Sequence, residues 1–142
     1  MLADGPSVRL LPQLSEENRF FWTSGADGSL RILRCYACHF YTHPPGPVCR
    51  RCLSRHVAPD VVSGRARVES YSINYQQWIP GSDPYVIAWV SLAEQPSVRL
   101  TTNLVGVEAD EVVIGMDVAV EFEEVDDVYI PLFRPVAEAT TP

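Results

Sequence analysis

Beyond Gly64, apolar and polar positions alternate with a period of two, as they do in strands that turn one face to a core. Five short β segments follow from this pattern: Arg65 to Tyr75, Tyr85 to Leu92, Val98 to Leu104, Val118 to Phe122 and Tyr129 to Phe133. Pro, Gly, Asn or Asp signals separate them. Five strands in so short a stretch fit an OB-like barrel better than a sandwich, which needs more strands. Asp110 to Ile114 is expected to form the reduced helix or turn between the third and fourth strands.

Ahead of Gly64 the pattern changes. Ser15-Glu16-Glu17-Asn18-Arg19-Phe20-Phe21-Trp22 reads as a short helix, with Ser15 as cap and two acids at its positive end. Gly25 and Gly28 stop it. Phe20, Phe21 and Trp22 are expected to pack this helix onto the body of the protein. Ser29 to Arg34 alternates as a strand into a first cysteine pair, Thr42 to Pro47 is a stiff turn before a second, and Val57 to Ser63 reads as a connector. The reading is therefore mainly β: an N-terminal helical segment (1–28), a zinc ribbon (29–60), an OB-fold barrel (61–136) and a tail (137–142).

The cysteines are spaced Cys35-x2-Cys38-x10-Cys49-x2-Cys52. Each pair is short enough to turn two thiolates toward one ion, and two such knuckles close a tetrahedron. A filled d shell suits zinc to four thiolates, and the closed shell leaves no position for a substrate water, so the expected site is structural. Iron in a rubredoxin-like electron carrier is the competing metal. His39, His43 and His56 lie nearby but are not needed as ligands. The barrel has its own alternating strands, so loss of metal is expected to unfold the ribbon and leave much of the barrel intact.

Charge adds a second division. The chain has 142 residues and a net charge of −7, and its eleven basic residues are all arginine. From Arg31 to Arg67 seven arginines face one acid, Asp60, while from Val68 onward thirteen acids face Arg99 and Arg134. A basic ribbon is joined to an acidic barrel. A barrel of that sign would repel phosphate, which makes a nucleic-acid-binding ribbon and barrel the alternative rather than the first reading. The chain has no apolar run of about 18 residues and its start lacks signal-peptide character, so it is expected to be cytoplasmic and without a membrane partner. Neither a Gly-x-Ser-x-Gly elbow nor a His-Glu-x-x-His helix is present, and Glu123-Glu124 and Asp126-Asp127 read as solvated acids.

Several motifs together resemble a family of acyl-CoA-associated proteins built from a rubredoxin-like zinc ribbon and an OB fold, long catalogued as a domain of unknown function. They are Phe21-Trp22, Leu33-Arg34-Cys35-x-x-Cys38, Pro44-Pro45 before Cys49-x-x-Cys52, Val62 to Val68, Pro84 to Ala88, Ile114-Gly115 and Pro131 to Pro135. The chain departs from that family at His39 and Leu53, where glycine is common after each knuckle. The resemblance implies an accessory, non-catalytic subunit of a thiolase-like enzyme, a thiolase or a retro-aldolase of steroid or fatty-acyl side-chain degradation. It implies one structural zinc, acyl-CoA handled through the complex, and a hotdog-fold enoyl-CoA hydratase as a further partner.

Arg50, Arg51 and Arg55 cluster at the second knuckle and are candidates for contact with CoA phosphates or the partner. Trp78 and Tyr85 flank the Ile79 to Pro84 turn, and Tyr129, Leu132 and Phe133 crowd the C-terminal segment. Large aromatic and apolar residues on loops anchor protein interfaces, so these five are the interface candidates; the alternative is that they cap the ends of the barrel, which for Phe133 is an equal expectation.

Overall fold

The computed structural model describes residues 10–136. The tail at 137–142 lies outside the described residues. Ser15 and Asn18 open the N-terminal segment with a reciprocal cap: the Asn18 N–H donates to Ser15 Oγ at 3.2 Å and the Ser15 N–H donates to Asn18 Oδ1 at 2.7 Å. This closes a turn over Glu16 and Glu17, so the helix α1 spans Arg19–Thr23, shorter than the sequence suggests. A 3-10 turn, Ser24–Asp27, ends at Gly28 with φ 82°. Gly25 lies so close against Phe122 and Tyr129 that a Cβ there would collide with both side chains. Phe21 is buried in the core, and Phe20 and Trp22 pack partly against it.

Three strands build the ribbon: β1 Leu30–Cys35, β2 Tyr41–Thr42 and β3 Val57–Val62. They lie in the order β2-β1-β3, all antiparallel. The segment expected as a connector is thus a strand, paired with β1 from Leu30↔Val62 to Cys35↔Val57. Pro59 disguised it. A proline donates no ladder hydrogen bond and reads as a breaker, but it is tolerated on an edge strand such as β3.

The barrel strands are β4 Arg65–Asn74, β5 Tyr85–Leu92, β6 Arg99–Leu104, β7 Asp117–Val125 and β8 Val128–Pro135. They close in the order β4-β5-β6-β8-β7, with β6 and β8 parallel and the other pairs antiparallel. This is the five-stranded, OB-like closure expected from the alternation. A register shift between Val68 and Ser70 marks a bulge that bends the long β4. A 3-10 turn, Ala109–Glu111, stands in the loop between β6 and β7.

Alternation explains the inside of the barrel. Ala66 and Val68, then Val86, Ala88 and Val90, then Leu100, Thr102 and Leu104 face inward, and Phe133 is fully buried among them. The same core contains Leu30, Ile32, Tyr41 and Val62 of the ribbon and Phe21 of α1. Ribbon and barrel therefore share one hydrophobic core. None of the helices among the described residues is long and apolar enough to cross a membrane.

Candidate metal centre

The two knuckles are built alike. After Cys35 the N–H groups of Ala37 and Cys38 turn back to Cys35 Sγ at 3.3 and 3.4 Å, and after Cys49 those of Arg51 and Cys52 turn back to Cys49 Sγ at 3.3 and 3.5 Å. The His39 N–H donates to Cys35 O at 2.9 Å, and the Leu53 N–H donates to Cys49 O at 3.0 Å. His39 and Leu53 take φ of 67° and 64°. The left-handed turn that glycine makes at no steric cost is therefore made here by two residues with a Cβ, each held by its main-chain hydrogen bond. The two departures from the family leave the knuckle geometry in place.

All four Sγ atoms lie within 4.8 Å of one another, with Cys35 to Cys52 and Cys38 to Cys49 at 3.6 Å. The cysteines are free thiols rather than disulfides. A tetrahedron of thiolates about 2.3 Å from one ion has edges of about 3.8 Å, so the donor set fits a single metal ion. The electrostatics point the same way. The Cys38 N–H holds the Cys35 thiol below its ordinary value. Burial pushes Cys49 up, but the N–H groups of Cys52 and Arg51 outweigh it and bring the thiol down to about 6. The Ser54 N–H draws Cys52 down, yet burial and the sulfurs of Cys38, Cys35 and Cys49 push it up to about 12. Sulfurs this close cannot all ionise unless a cation lies between them.

The ribbon's arginines are of two kinds. Arg34 is engaged internally: Nε donates to His39 O at 3.1 Å, Nη1 reaches Asp60 at 3.0 Å, and the guanidinium lies 4.8 Å over the Tyr41 ring. It braces the first knuckle against β3. Arg50, Arg51 and Arg55 are exposed; Arg51 lies 5.8 Å from the Phe40 ring centroid, and none of the three has an ion pair among the described residues.

The five interface candidates are not brought together. Trp78 is 77% exposed, while Tyr85 and Tyr129 are half-buried, Tyr129 beneath Gly25. Leu132 and Phe133 are buried at 5% and 0% exposure, which corrects their reading as interface residues and agrees with the alternative reading of Phe133 as a residue that fills the barrel. The short spacing of apolar residues at Pro131-Leu132-Phe133 reflects a closing strand that fills the barrel. Sequence reasoning missed Trp89, which is 51% exposed, and Ile87 beside it. Both lie in the unbroken apolar run Val86 to Val90, where no polar residue marks the outward face.

A second feature lies where the modules meet. A cleft of about 490 Å³ is lined by Trp22 of α1, His43 and Pro44 of the ribbon turn, Arg99 of β6 and Pro131 of β8, among others. The His43 ring packs on Phe21 with centroids 4.9 Å apart. Burial, helped by Arg50, lowers its pKa to about 4, so the ring is neutral at pH 7.

Comparison with known proteins adds to this geometry. The family profile described as "ChsH2, C-terminal OB-fold domain" matches residues 60–123. A solved chain titled "Ltp2-ChsH2(DUF35) aldolase" is 36% identical and superimposes with a TM-score of 0.80, covering 89% of this chain and 100% of that one. A crystal structure of a DUF35 protein of unknown function from Sulfolobus solfataricus, 18% identical, aligns over 75% of this chain and 76% of its own with a TM-score of 0.51, and so shares the fold. A protein of Thermomonospora curvata named "Probable enoyl-CoA hydratase alpha subunit" is 37% identical over 131 residues, which are 91% of this chain. The chain spans 40% of the length of that relative.

Proposed function

This chain belongs to the DUF35 family, and from that membership we propose that it is a non-catalytic accessory subunit of a thiolase-type acyl-CoA enzyme. The observation that carries the reading is its likeness, over the whole of the other chain, to a ChsH2(DUF35) chain titled as part of an aldolase. The thiolase fold of the enzyme partner, the thiolase or retro-aldol reaction and the steroid or fatty-acyl side chain of the substrate are parts of this proposal. The hydratase name carried by the Thermomonospora curvata relative supports acyl-CoA chemistry and a hydratase as a second partner.

Cys35, Cys38, Cys49 and Cys52 would hold one zinc, which supplies a closed cross-link between the knuckles and no Lewis-acid position for substrate. No nucleophile of this chain is paired with a general base in the centre just described, so turnover is assigned to the partner. Arg50, Arg51 and Arg55 are exposed and would meet the anionic phosphates of CoA or acids of the enzyme subunit. The chain is proposed to work in the cytoplasm, where thiols stay reduced and available to metal.

The test is co-purification of the tagged, zinc-loaded chain from its native host. A stoichiometric thiolase-fold enzyme, identified by mass spectrometry, is the expected companion. Salt-sensitive oligonucleotide binding with no such enzyme would replace the reading with the nucleic-acid one.

A further inference from the structure

The outward positions of the barrel form an unusual surface over β5 and β6. Register places Tyr85, Ile87 and Trp89 of β5 on the same face as Asn103, Thr101 and Arg99 of β6, and the outward residues of β4 opposite them are Ser70, Ser72 and Asn74. In OB folds that bind oligonucleotides or oligosaccharides, the face over the second and third strands, with the loops joining the first two and the last two strands, is the binding face. Here those strands are β5 and β6, and the loop between β4 and β5 carries Trp78 and Ile79, which are 77% and 39% exposed.

Arg99 is the single charged residue among these outward positions, and its guanidinium has no ion pair among the described residues. Arg99 also lines the cleft that Trp22 and Pro44 wall, so the exposed face of Trp89 and Ile87 runs directly into that cleft. The ribbon and α1 thus complete a groove that the barrel alone would leave flat.

We propose that this groove is where the enzyme subunit docks, and that it receives an extended apolar segment of that subunit carrying a carboxylate for Arg99. The proposal rests on the accessory-subunit reading and adds the surface and the chemistry of the bound segment. Exposed tryptophan and arginine beside a cleft are the residues that anchor protein interfaces. One lone cation among otherwise uncharged strand positions selects one acid. A polyanion requires many cations to replace its counterions, and this face has one. A second copy docked through the same strand positions would bring neither Arg99 an acid, because those positions contain none.

The experiment measures binding of the zinc-loaded chain to the thiolase-fold enzyme purified from the native-host complex. The variants are Trp89→Ala, Arg99→Glu and Arg99→Lys, with Val113→Ala, exposed on the loop before β7, as control. Melting temperature and zinc content are measured for each. Trp89→Ala and Arg99→Glu are expected to weaken binding at least tenfold with melting unchanged, Arg99→Lys to keep most of it, and Val113→Ala all of it. Wild-type affinity in both Trp89→Ala and Arg99→Glu overturns the groove as the docking site. Loss in Trp89→Ala with Arg99→Glu unaffected overturns the carboxylate. A wild-type homodimer that Trp89→Ala dissolves makes the occupant a second copy instead. If the wild-type chain captures no thiolase-fold enzyme, the accessory-subunit reading fails along with the proposal, an outcome distinct from all the others.

Discussion

The side-chain amide of Gln95 pairs with the main chain of Tyr41 as a neighbouring strand would: Nε2 donates to Tyr41 O at 2.8 Å, and the Tyr41 N–H donates to Oε1 at 2.9 Å. Gln95 lies in the loop between β5 and β6, and Tyr41 opens β2 of the ribbon. Glu94 beside it accepts the Ser63 N–H at 2.6 Å, just where β3 passes into β4. One barrel loop therefore grips the ribbon at two places. Gln95→Ala leaves two partly buried main-chain groups without partners, at a cost of about 1–3 kcal/mol. Chemical denaturation measures the loss, and faster exchange of the Tyr41 amide locates it. An unchanged midpoint would mean that the clamp does not hold the ribbon.

Removing the metal site reaches further than the ribbon. Leu30, Ile32, Tyr41 and Val62 pack in the same core as Val86, Val90 and Phe133, so the expectation that the barrel survives alone needs revision. Cys38→Ser is expected to abolish stoichiometric zinc and to lower the melting temperature of the whole chain in a single transition. Hydrogen exchange should show weakened protection at Val90 and Val118 as well as in β1. Full protection there after zinc loss would restore the two-module picture.

His43 should make the chain sensitive to mild acid. Its folded pKa, depressed to about 4, lies below the ordinary histidine value of 6.5, so the unfolded chain takes up the proton first as pH falls. Its contribution to stability is complete above pH 6.5, falls through the window from 6.5 to 4, and amounts to roughly 3 kcal/mol at most. His43→Phe should flatten the stability profile in that window. NMR titration of the His43 ring with a midpoint near 6.5 would contradict this account of its burial.

Two of the aromatic candidates separate cleanly. Phe133→Ala, at a fully buried position, should cost about 3–5 kcal/mol. Trp78→Ala, at a position 77% exposed, should change the stability of the free chain by less than about 0.5 kcal/mol while weakening association with the enzyme. Equal losses of stability would place Trp78 in the core.

These contrasts show what the sequence could carry. The barrel was legible because Arg65 to Val68 alternates strictly and Arg99 to Leu104 does so except at the buried Thr102, and the metal site because the cysteine spacing admits one closure. β3 was hidden by Pro59, whose edge position only the pairing reveals. The proposed docking face was hidden by the run from Val86 to Val90, apolar at every position. There the small Ala88 points inward and the large Trp89 outward, the reverse of what size suggests. The phase of that run is set by its neighbour: Leu100 and Leu104 fill the core, and their partners Val90 and Val86 must do the same.

The chain is proposed to assist acyl-CoA chemistry without performing it. The most direct measurement is turnover of acyl-CoA thioesters by the zinc-loaded chain alone, by the thiolase-fold partner alone, and by the two recombined. No turnover is expected from the chain, weak or absent turnover from the partner alone, and full activity on recombination. Clear turnover by the chain alone, or a partner whose rate is unchanged by its presence, would contradict this proposal.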